Sequence, residues 1–232
     1  IATSGELWSW GRNSSGELGD GSTTNRSSPV QIGSYTDWTV VTGGNAGGHG
    51  IRSDGTLWGW GYNTDGRGAV GDGTDTNRLT PVQIGTLNDW EDVARGSNFA
   101  VALKTDGTAW SWGFNNKGQL GHGNTTTLNS PVQIGELTTY AKVFAGESSI
   151  GLIKTDGTLW MIGSGSSGKL GQGNTTDYSS PVQVGSLTDW AQVNHVYSVT
   201  LAVKTDGTLW GWGDGTYGQL GHNNTTSYSS PV

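Results

Sequence analysis

Apolar and polar residues alternate along this chain in short stretches of strand length, and no stretch has a helical period. Residues 90–135 show the pattern most clearly. Four such stretches lie there, at 90–94, 99–104, 109–113 and 131–134. Trp110 and Trp112 are two residues apart in the third stretch, so both indoles are expected on one face of a strand. Pro131 opens the fourth stretch, where a strand tolerates a missing N–H group. The pattern therefore predicts four short antiparallel strands.

The turn between the second and third strands is expected at Asp106-Gly107. Asp-Gly between two apolar runs favours a two-residue hairpin in which both central residues have positive φ. The same pair recurs at Asp54, Asp156 and Asp206. Turn chemistry accounts for all four carboxylates, which would otherwise suggest a carboxylate mechanism.

The same stretch of sequence recurs at a nearly constant period. It starts at Leu7, Leu57, Ala109, Leu159 and Leu209, in steps of 50, 52, 50 and 50 residues. A period of this length, with four strands and no helix in each repeat, predicts an all-β propeller whose blades are four-stranded antiparallel sheets. We interpret residues 1–232 as one array of four full repeats and a partial one, and we expect it to be a fragment of a larger propeller. The two extra residues of the second copy lie within 66–71, in the long loop, where insertions cost little.

Composition and charge narrow the classes of function. Gly is very frequent, at 41 residues, and Trp reaches 12, while hydrophobic residues make up 32%. Such a mixture without a period would be typical of disorder, whereas here the glycines recur at turn positions once per repeat. A formal net charge of -7 disfavours binding to nucleic acid or to anionic membranes. No apolar run approaches the ~20 residues that span a bilayer, and the absence of Cys excludes disulfides.

Short motifs recur in the copies and together resemble a known family. In the third copy they are Trp-Gly-x-Asn-x-x-Gly-Gln-Leu-Gly at 112–121, Pro-Val at 131–132, Val-x-x-Gly at 93–96 and Ala-Leu-x-x-Asp-Gly at 102–107. These motifs are similar to those of the regulator of chromosome condensation repeat, in its bacterial or viral form, and the resemblance extends over essentially the whole chain. The resemblance implies a β-propeller that has seven blades in the well-known members. Five copies are fewer, so additional blades, an oligomer or a smaller ring are the ways in which the circle is expected to close.

The resemblance implies binding or regulation without fixing one function, since members of this family exchange nucleotide on a small GTPase, inhibit β-lactamases or sense ultraviolet light. We expect a non-enzymatic binding module that presents a variable loop face to a protein or glycan partner and uses no cofactor. A regulator of an enzyme, either a GTPase exchange factor or an enzyme inhibitor, is the alternative. The bacterial and viral relatives favour an extracellular or virion-surface location.

The tryptophans fall in three columns of the repeat. The first column is Trp8, Trp58, Trp110, Trp160 and Trp210, the second is Trp10, Trp60, Trp112 and Trp212, and the third is Trp38, Trp90 and Trp190. In the fourth copy Ile162 takes the second column and Tyr140 takes the third. An aromatic residue required once per repeat predicts packing between blades. A chromophore or a carbohydrate-stacking surface is the alternative.

No catalytic constellation is expected. His49, His122, His195 and His222 are isolated, and no Ser or Cys pairs with any of them in sequence. Residues 72–77 have oxygen-bearing side chains at alternating positions, faintly like a calcium loop, but they lack the closing acidic ligand. We therefore expect no metal site.

Columns that vary between copies are the candidates for binding, because recurrent columns serve the fold. One set follows Trp-Gly in each copy, and a second lies in the turn after Val-x-x-Gly, at 97–99, 147–149 and 197–199. The strand that ends in Asp-Gly runs to one face and the Trp strand runs back, so both sets are expected on the opposite face. The candidate partner-binding residues are Arg12, Tyr62, Asp65, Phe114, Lys117, Asp214 and Tyr217.

Overall fold

The computed structural model describes residues 1–232 and contains five antiparallel β-sheets, which we number as blades 1 to 5 in chain order. Blade 1 consists of β1 (Trp8–Gly11) and β2 (Arg26–Gln31). Blade 2 consists of β3 (Trp38–Gly44), β4 (Gly47–Arg52), β5 (Leu57–Gly61) and β6 (Arg78–Gln83). Blade 3 consists of β7 (Trp90–Arg95), β8 (Phe99–Lys104), β9 (Ala109–Gly113) and β10 (Leu128–Gln133). Blade 4 consists of β11 (Tyr140–Ala145), β12 (Ser149–Lys154), β13 (Leu159–Gly163) and β14 (Tyr178–Gln183). Blade 5 consists of β15 (Trp190–Val196), β16 (Val199–Lys204) and β17 (Leu209–Gly213).

The strands of each blade pair in chain order, so every blade is a meander. Blades 2, 3 and 4 have the four antiparallel strands that the sequence predicts, and the fold prediction is confirmed. The first strands of successive blades contact one another, β3 with β7 and β7 with β11 and β11 with β15. They therefore line the centre, while the fourth strands lie at the outer edge. No hydrogen-bonded strand pair and no hydrophobic core cluster joins blade 5 to blade 1, so the blades form an open arc. The helical content is one 3-10 turn at Ser166–Gly168, and the chain has no helix that could cross a membrane.

The hairpin between the second and third strands differs from the predicted two-residue turn. In blade 3 the Lys104 N–H donates to Thr108 O at 3.0 Å and the Gly107 N–H donates to Lys104 O at 2.9 Å, which closes a three-residue loop. In this loop only Gly107 has a positive φ, of 80°, as in a type I turn followed by a left-handed residue. The Asp106 carboxylate accepts hydrogen bonds from the hydroxyl and the backbone N–H of Thr108, and these bonds lower the pKa of Asp106. Asp-Gly is a turn pair as expected, but in a different turn.

The fourth strand begins earlier than predicted. In blade 3 it starts at Leu128, before Pro131. A bulge between Leu128 and Val132 takes up the proline, and the outer edge of the blade needs no ladder hydrogen bond from it. The same irregularity surrounds Pro29, Pro81 and Pro181.

Each hydrophobic core is shared by two successive blades. One cluster joins Phe99 and Leu120 of blade 3 to Ile150 and Ile162 of blade 4. Three further clusters join blades 1 and 2, blades 2 and 3, and blades 4 and 5. Sheet faces that would otherwise be exposed are therefore buried against the next sheet.

The second Trp column wedges each blade onto a glycine of the blade before it. Trp112 of blade 3 covers Gly71 of blade 2, where an added Cβ would lie 2.4 Å from Trp112 Nε1. The same pairing recurs as Trp60 on Gly19, Ile162 on Gly121 and Trp212 on Gly171. Trp10, in blade 1, has no blade before it in this structure and is exposed. For the other members of the column, the predicted packing role is confirmed.

The first and third Trp columns pair inside a blade. The rings of Trp90 and Trp110 are edge to face, with centroids 6.0 Å apart. Lys104 Nζ lies 4.6 Å from the Trp110 ring centroid, and Trp110 Nε1 donates to Thr108 Oγ1 at 2.9 Å. The same edge-to-face contact recurs between Trp38 and Trp58 and between Trp190 and Trp210. The sequence analysis expected these columns to pack between blades. Trp38, Trp90 and Trp190 do belong to cores shared with the blade before, but the first column pairs with them inside its own blade.

The long loop after the third strand is held by the motif Asn. In blade 3 the buried Asn115 accepts a hydrogen bond from the Leu120 N–H at 2.9 Å and donates one to Thr126 O at 2.9 Å. Blade 4 has Gly165 at this position, and an added Cβ there would lie 2.0 Å from Thr176 O. The backbone of blade 4 fills the space that the Asn side chain occupies in blade 3, so both versions fix the loop.

Candidate functional site

The two sets of variable residues meet on one face of the arc, which we call the variable face. The Phe114 N–H, just after β9, donates to Asn98 O in the turn between β7 and β8 at 2.8 Å. The same bond recurs from Tyr62 to Ala46, from Ser164 to Ser148 and from Asp214 to Ser198. The backbone therefore ties the loop after each third strand to the turn after each first strand, as the strand directions predict.

Four of the seven sequence-predicted residues are spread over this face. Arg12 lies in blade 1 with its side chain 75% exposed. Lys117 of blade 3 forms an ion pair with Asp177 of blade 4 at 3.3 Å. Asp214 and Tyr217 lie in blade 5, where Tyr217 is 89% exposed. No direct hydrogen bond or ion pair joins these four residues to one another, so they do not form a single site.

The other three lie together where blades 2 and 3 meet, around an arginine that the sequence analysis did not select. The guanidinium carbon of Arg67 lies 5.7 Å from the ring centroid of Tyr62 and 5.5 Å from that of Phe114. The Tyr62 hydroxyl donates a hydrogen bond to Asp65. We call Tyr62, Arg67 and Phe114 the aromatic–arginine cluster. Arg67 belongs to the loop that carries the insertion of the second copy, and a cationic residue in that insertion is the sequence signal that could have identified it.

Three cavities open on the variable face. The largest, of 760 Å³, lies between blades 1 and 2 and is lined by Arg12 and Asn45, and the two smaller ones lie nearer the cluster and the centre. One, of 160 Å³, lies beside Phe114 between blades 3 and 4. The other, of 240 Å³, lies at the centre, where the turns after the first strands of blades 2 to 5 meet at Asn45, Ser97, Glu147 and Tyr197. We call it the axial pocket. Ser97 and Glu147 line both of the smaller cavities, so the face is continuous from the centre to the aromatic–arginine cluster.

Buried polar side chains join blade 2 to blade 3 beside the axial pocket. Arg95, at the end of β7, donates from Nη1 to His49 Nδ1 at 3.1 Å. His49 Nε2 donates to Val70 O at 3.1 Å, which requires the neutral tautomer with its lone pair towards Arg95. Burial, and then the charge of Arg95, lower the pKa of His49 well below its usual range. Burial also lowers the pKa of Arg95 to about 10, which leaves it a cation at neutral pH.

A second buried chain of hydrogen bonds joins blade 4 to blade 5. His195 Nε2 lies 2.7 Å from Ser149 Oγ, and His195 Nδ1 lies 2.5 Å from Thr200 Oγ1. The Thr200 hydroxyl donates to Lys169 O at 2.7 Å, so it accepts from His195 Nδ1–H, and Nε2 accepts from Ser149. Burial lowers the pKa of His195 to about 3.

The Ser149–His195 contact was missed by the sequence analysis, which found no Ser partner for any His. The two residues are 46 positions apart and lie in neighbouring blades, so only the arrangement of the blades brings them together. Ser149 is fully buried. The contact is a structural link between blades and offers no accessible nucleophile.

The loop at 72–77 uses Asp72, the first of its two acidic side chains, for internal bonds. Asp72 Oδ2 is bound by Arg78 Nε, and Oδ1 accepts hydrogen bonds from the hydroxyl and N–H of Thr74 at 2.8 and 3.1 Å. Blade 1 has the same ion pair between Asp20 and Arg26 at 2.7 Å. The carboxylate that resembles a calcium ligand in the sequence therefore binds an arginine in the fold.

Solved structures share this architecture. Human WBSCR16 matches with a TM-score of 0.84 and 20% identity over 97% of this chain and 61% of that chain. Yeast RCC1 (Prp20), in a structure with Kap60 bound, matches with a TM-score of 0.80 and 20% identity over 98% of this chain and 56% of that chain. The chain thus spans about three fifths of the length of the structures it matches. No curated protein matches it in sequence.

The repeats themselves match a family model. The regulator of chromosome condensation (RCC1) repeat matches residues 4–47, 54–103, 106–152, 156–203 and 206–232, and a second model of the same repeat matches 90–119. These ranges cover most of the chain. Each of the first four takes in the last two strands of one blade and the beginning of the next blade, so the sequence repeat is offset by about two strands from the blades. The protein therefore belongs to the regulator of chromosome condensation (RCC1) repeat family.

Proposed function

We propose that the protein is a non-enzymatic binding module that presents its variable face to a protein partner, with the aromatic–arginine cluster as the main anchor. The observation that carries this proposal is the position of Arg67 between the rings of Tyr62 and Phe114, at 5.7 and 5.5 Å. Tyrosine and arginine are enriched at the energetic centres of protein interfaces, and aromatic residues in general are enriched in interface cores.

The loop that carries Arg67 is held at both ends. Asn63 accepts a hydrogen bond from the Val70 N–H at 2.9 Å and donates one to Thr74 O at 2.6 Å. Phe114 lies on the neighbouring blade 3, where its own N–H donates to Asn98 O. A partner therefore meets side chains on a fixed backbone, which reduces the entropy lost on binding.

A protein partner is preferred over a glycan because the cluster contains no indole that could stack on a sugar, and the tryptophans of blades 2 to 5 are used in packing. The second-column tryptophans cover glycines, as Trp112 covers Gly71, and the first-column ring of Trp110 packs on Trp90. The fold also serves protein binding in yeast Prp20, which is described with Kap60 bound and with binding to Gsp1p and histones. We carry over from that protein only the use of the fold for protein binding, and none of its particular partners. An extracellular or virion-surface location is part of the proposal and rests on the sequence resemblance alone.

The test compares captured proteins between the wild-type chain and the variant Tyr62→Ala/Arg67→Ala/Phe114→Ala, each used as crosslinking bait in an extract of the source cells. The control is Leu87→Ala/Leu137→Ala, which removes two exposed apolar side chains from connections between blades on the opposite face. We expect one set of proteins to be captured by the wild type and the control and lost with the cluster variant. If the cluster variant keeps the full set, the cluster is not the anchor.

Regulation of an enzyme through the same face is the alternative function. A nucleotide-release assay with a panel of small GTPases separates the two. Accelerated release that depends on Arg67 would replace our proposal with an exchange activity, and unchanged release together with partner capture would favour the binding module.

A further inference from the structure

We propose that the axial pocket is a carboxylate-binding site built around Arg95, and that it takes an acidic side chain of the protein partner. The inference rests on the proposed function for the identity of the occupant, whereas the site itself rests on geometry. Arg95 lines the pocket at the end of β7 and is 5% exposed.

The guanidinium of Arg95 is buried with three of its five N–H groups unpartnered. Its Nη1 donates to His49 Nδ1 at 3.1 Å and contacts Ala69 O at 3.4 Å, and both acceptors are neutral. Its Nε and Nη2 have no partner. A buried cation without a counter-charge is unfavourable, and an anion that reaches it is correspondingly well bound.

The two unpaired groups define the shape of the ligand. Nε–H and Nη2–H lie side by side on one edge of a guanidinium and match the two oxygens of a carboxylate. Arg52 of the same protein uses this edge, with Nε and Nη2 each 2.8 Å from an oxygen of Asp37. Arg95 presents the same fork to no carboxylate of its own chain.

The axial pocket offers 240 Å³ beside Arg95, whereas Nε and Nη2 each expose less than 1 Å², so a ligand reaches the fork only when the guanidinium turns towards the pocket. The positions that correspond to Arg95 in blades 2, 4 and 5 are Gly43, Ala145 and His195. Gly43 and Ala145 project no long side chain into the pocket, and the ring of His195, which also lines it, is held by Ser149 and Thr200.

Gly44 and Gly96 keep the turns close together, because a Cβ on Gly44 would lie 2.9 Å from Gly96 O. Glu147 also lines the pocket, and its negative charge favours a single carboxylate over a doubly charged phosphate.

The site is tested by titrating the full chain with acetate at constant ionic strength, balanced with chloride, while the arginine Nε–H resonances are recorded. The chain has six arginines, and the resonance of Arg95 is identified by its loss in Arg95→Lys, which keeps the charge but lacks the fork. We expect that resonance to shift saturably, and Tm to rise by about 3–5 °C when acetate reaches about ten times its dissociation constant. Arg95→Lys should show no rise, and the remote control Arg26→Lys should respond like the wild type. A wild-type resonance that does not move, or an equal rise in Arg95→Lys, would overturn the site.

Two further arms identify the ligand. Inorganic phosphate that binds Arg95 more tightly than acetate would overturn the carboxylate assignment. If the occupant is an acidic side chain, Arg95→Lys should also reduce capture in the partner experiment. If acetate binds but Arg95→Lys captures the same partners as the wild type, the partner does not supply the carboxylate, and the pocket is a site for a small free acid. Failure of the proposed function would appear in a different experiment, because the cluster variant would then capture the same proteins as the wild type. That outcome would not alter the acetate result.

Discussion

The contact between Gly71 and Trp112 predicts a large loss of stability in Gly71→Ala. The added methyl group would lie 2.4 Å from Trp112 Nε1 and 2.7 Å from its Cδ1, and Gly71 has a φ of 88°. A left-handed φ costs a residue with a side chain about 1–2 kcal/mol, and overpacking a core costs about 1–3 kcal/mol. We therefore expect the free energy of unfolding to fall by about 2–5 kcal/mol.

Gly85 provides a matched control in the same blade. It has a φ of 65°, and an added Cβ would meet no atom within 4 Å, so Gly85→Ala carries only the conformational cost. Urea unfolding followed by Trp fluorescence gives the free energy of unfolding of both variants, and we expect Gly71→Ala to be less stable by about 1–3 kcal/mol. Equal stability of the two variants would refute the wedge between blades 2 and 3.

A second substitution separates the clash from backbone strain. Blade 4 carries Ile162 in the column of Trp112, and there the corresponding Cβ on Gly121 would lie at 3.1 Å. Trp112→Ile should therefore relieve part of the cost of Gly71→Ala. We expect the double variant to be more stable than the sum of the single effects by about 0.5–3 kcal/mol. Strict additivity would mean that the clash contributes nothing.

Three further predictions concern buried polar groups and loops. Because burial holds the pKa of His195 at about 3, below the ordinary 6.5, the unfolded chain takes up this proton first as the pH falls. Neutral His195 therefore contributes fully to the free energy of unfolding above about pH 6.5, and this contribution is lost progressively towards pH 3, by at most about 5 kcal/mol. The midpoint of urea unfolding should vary less across this pH range in His195→Gln than in the wild type. Asn115→Ala leaves the buried Leu120 N–H without its acceptor and should cost about 1–3 kcal/mol, measured by the same unfolding assay. Gly165→Asn should destabilise blade 4 although it restores the motif residue, because Thr176 O already lies 2.0 Å from the position of the new Cβ; an unchanged or higher Tm would contradict this.

The repeat made most of the fold predictable from the sequence. A column that recurs in every blade has one structural role, so the roles of Trp60, Trp112 and Trp212 follow from their spacing. The type of turn at Asp106-Gly107 was not predictable in the same way, because Asp-Gly suits both a two-residue turn and a type I turn that ends in a left-handed glycine. The choice depends on how the strands on either side are paired.

The candidate site was predictable only as a face. Variation between the copies selected Tyr62 and Phe114, and strand direction placed the variable loops together on one face. Arg67 was missed because it lies in an insertion that has no counterpart in the other copies. Arg95 occupies a column filled by Gly43 and Ala145 in neighbouring blades, and its isolation from carboxylates depends on contacts between blades that no local pattern contains.

The loop that carries Arg67 also carries Gly71, and Phe114 follows Trp112 by two residues. If the proposed function is right, recognition and cohesion therefore use the same seam between two sheets. A ligand that binds residues on both sides of this seam stabilises it, and by mass action it raises the free energy needed to separate the two sheets. Binding should accordingly be detectable along the two strands that lead into the seam, as slower amide hydrogen exchange in β5 and β9.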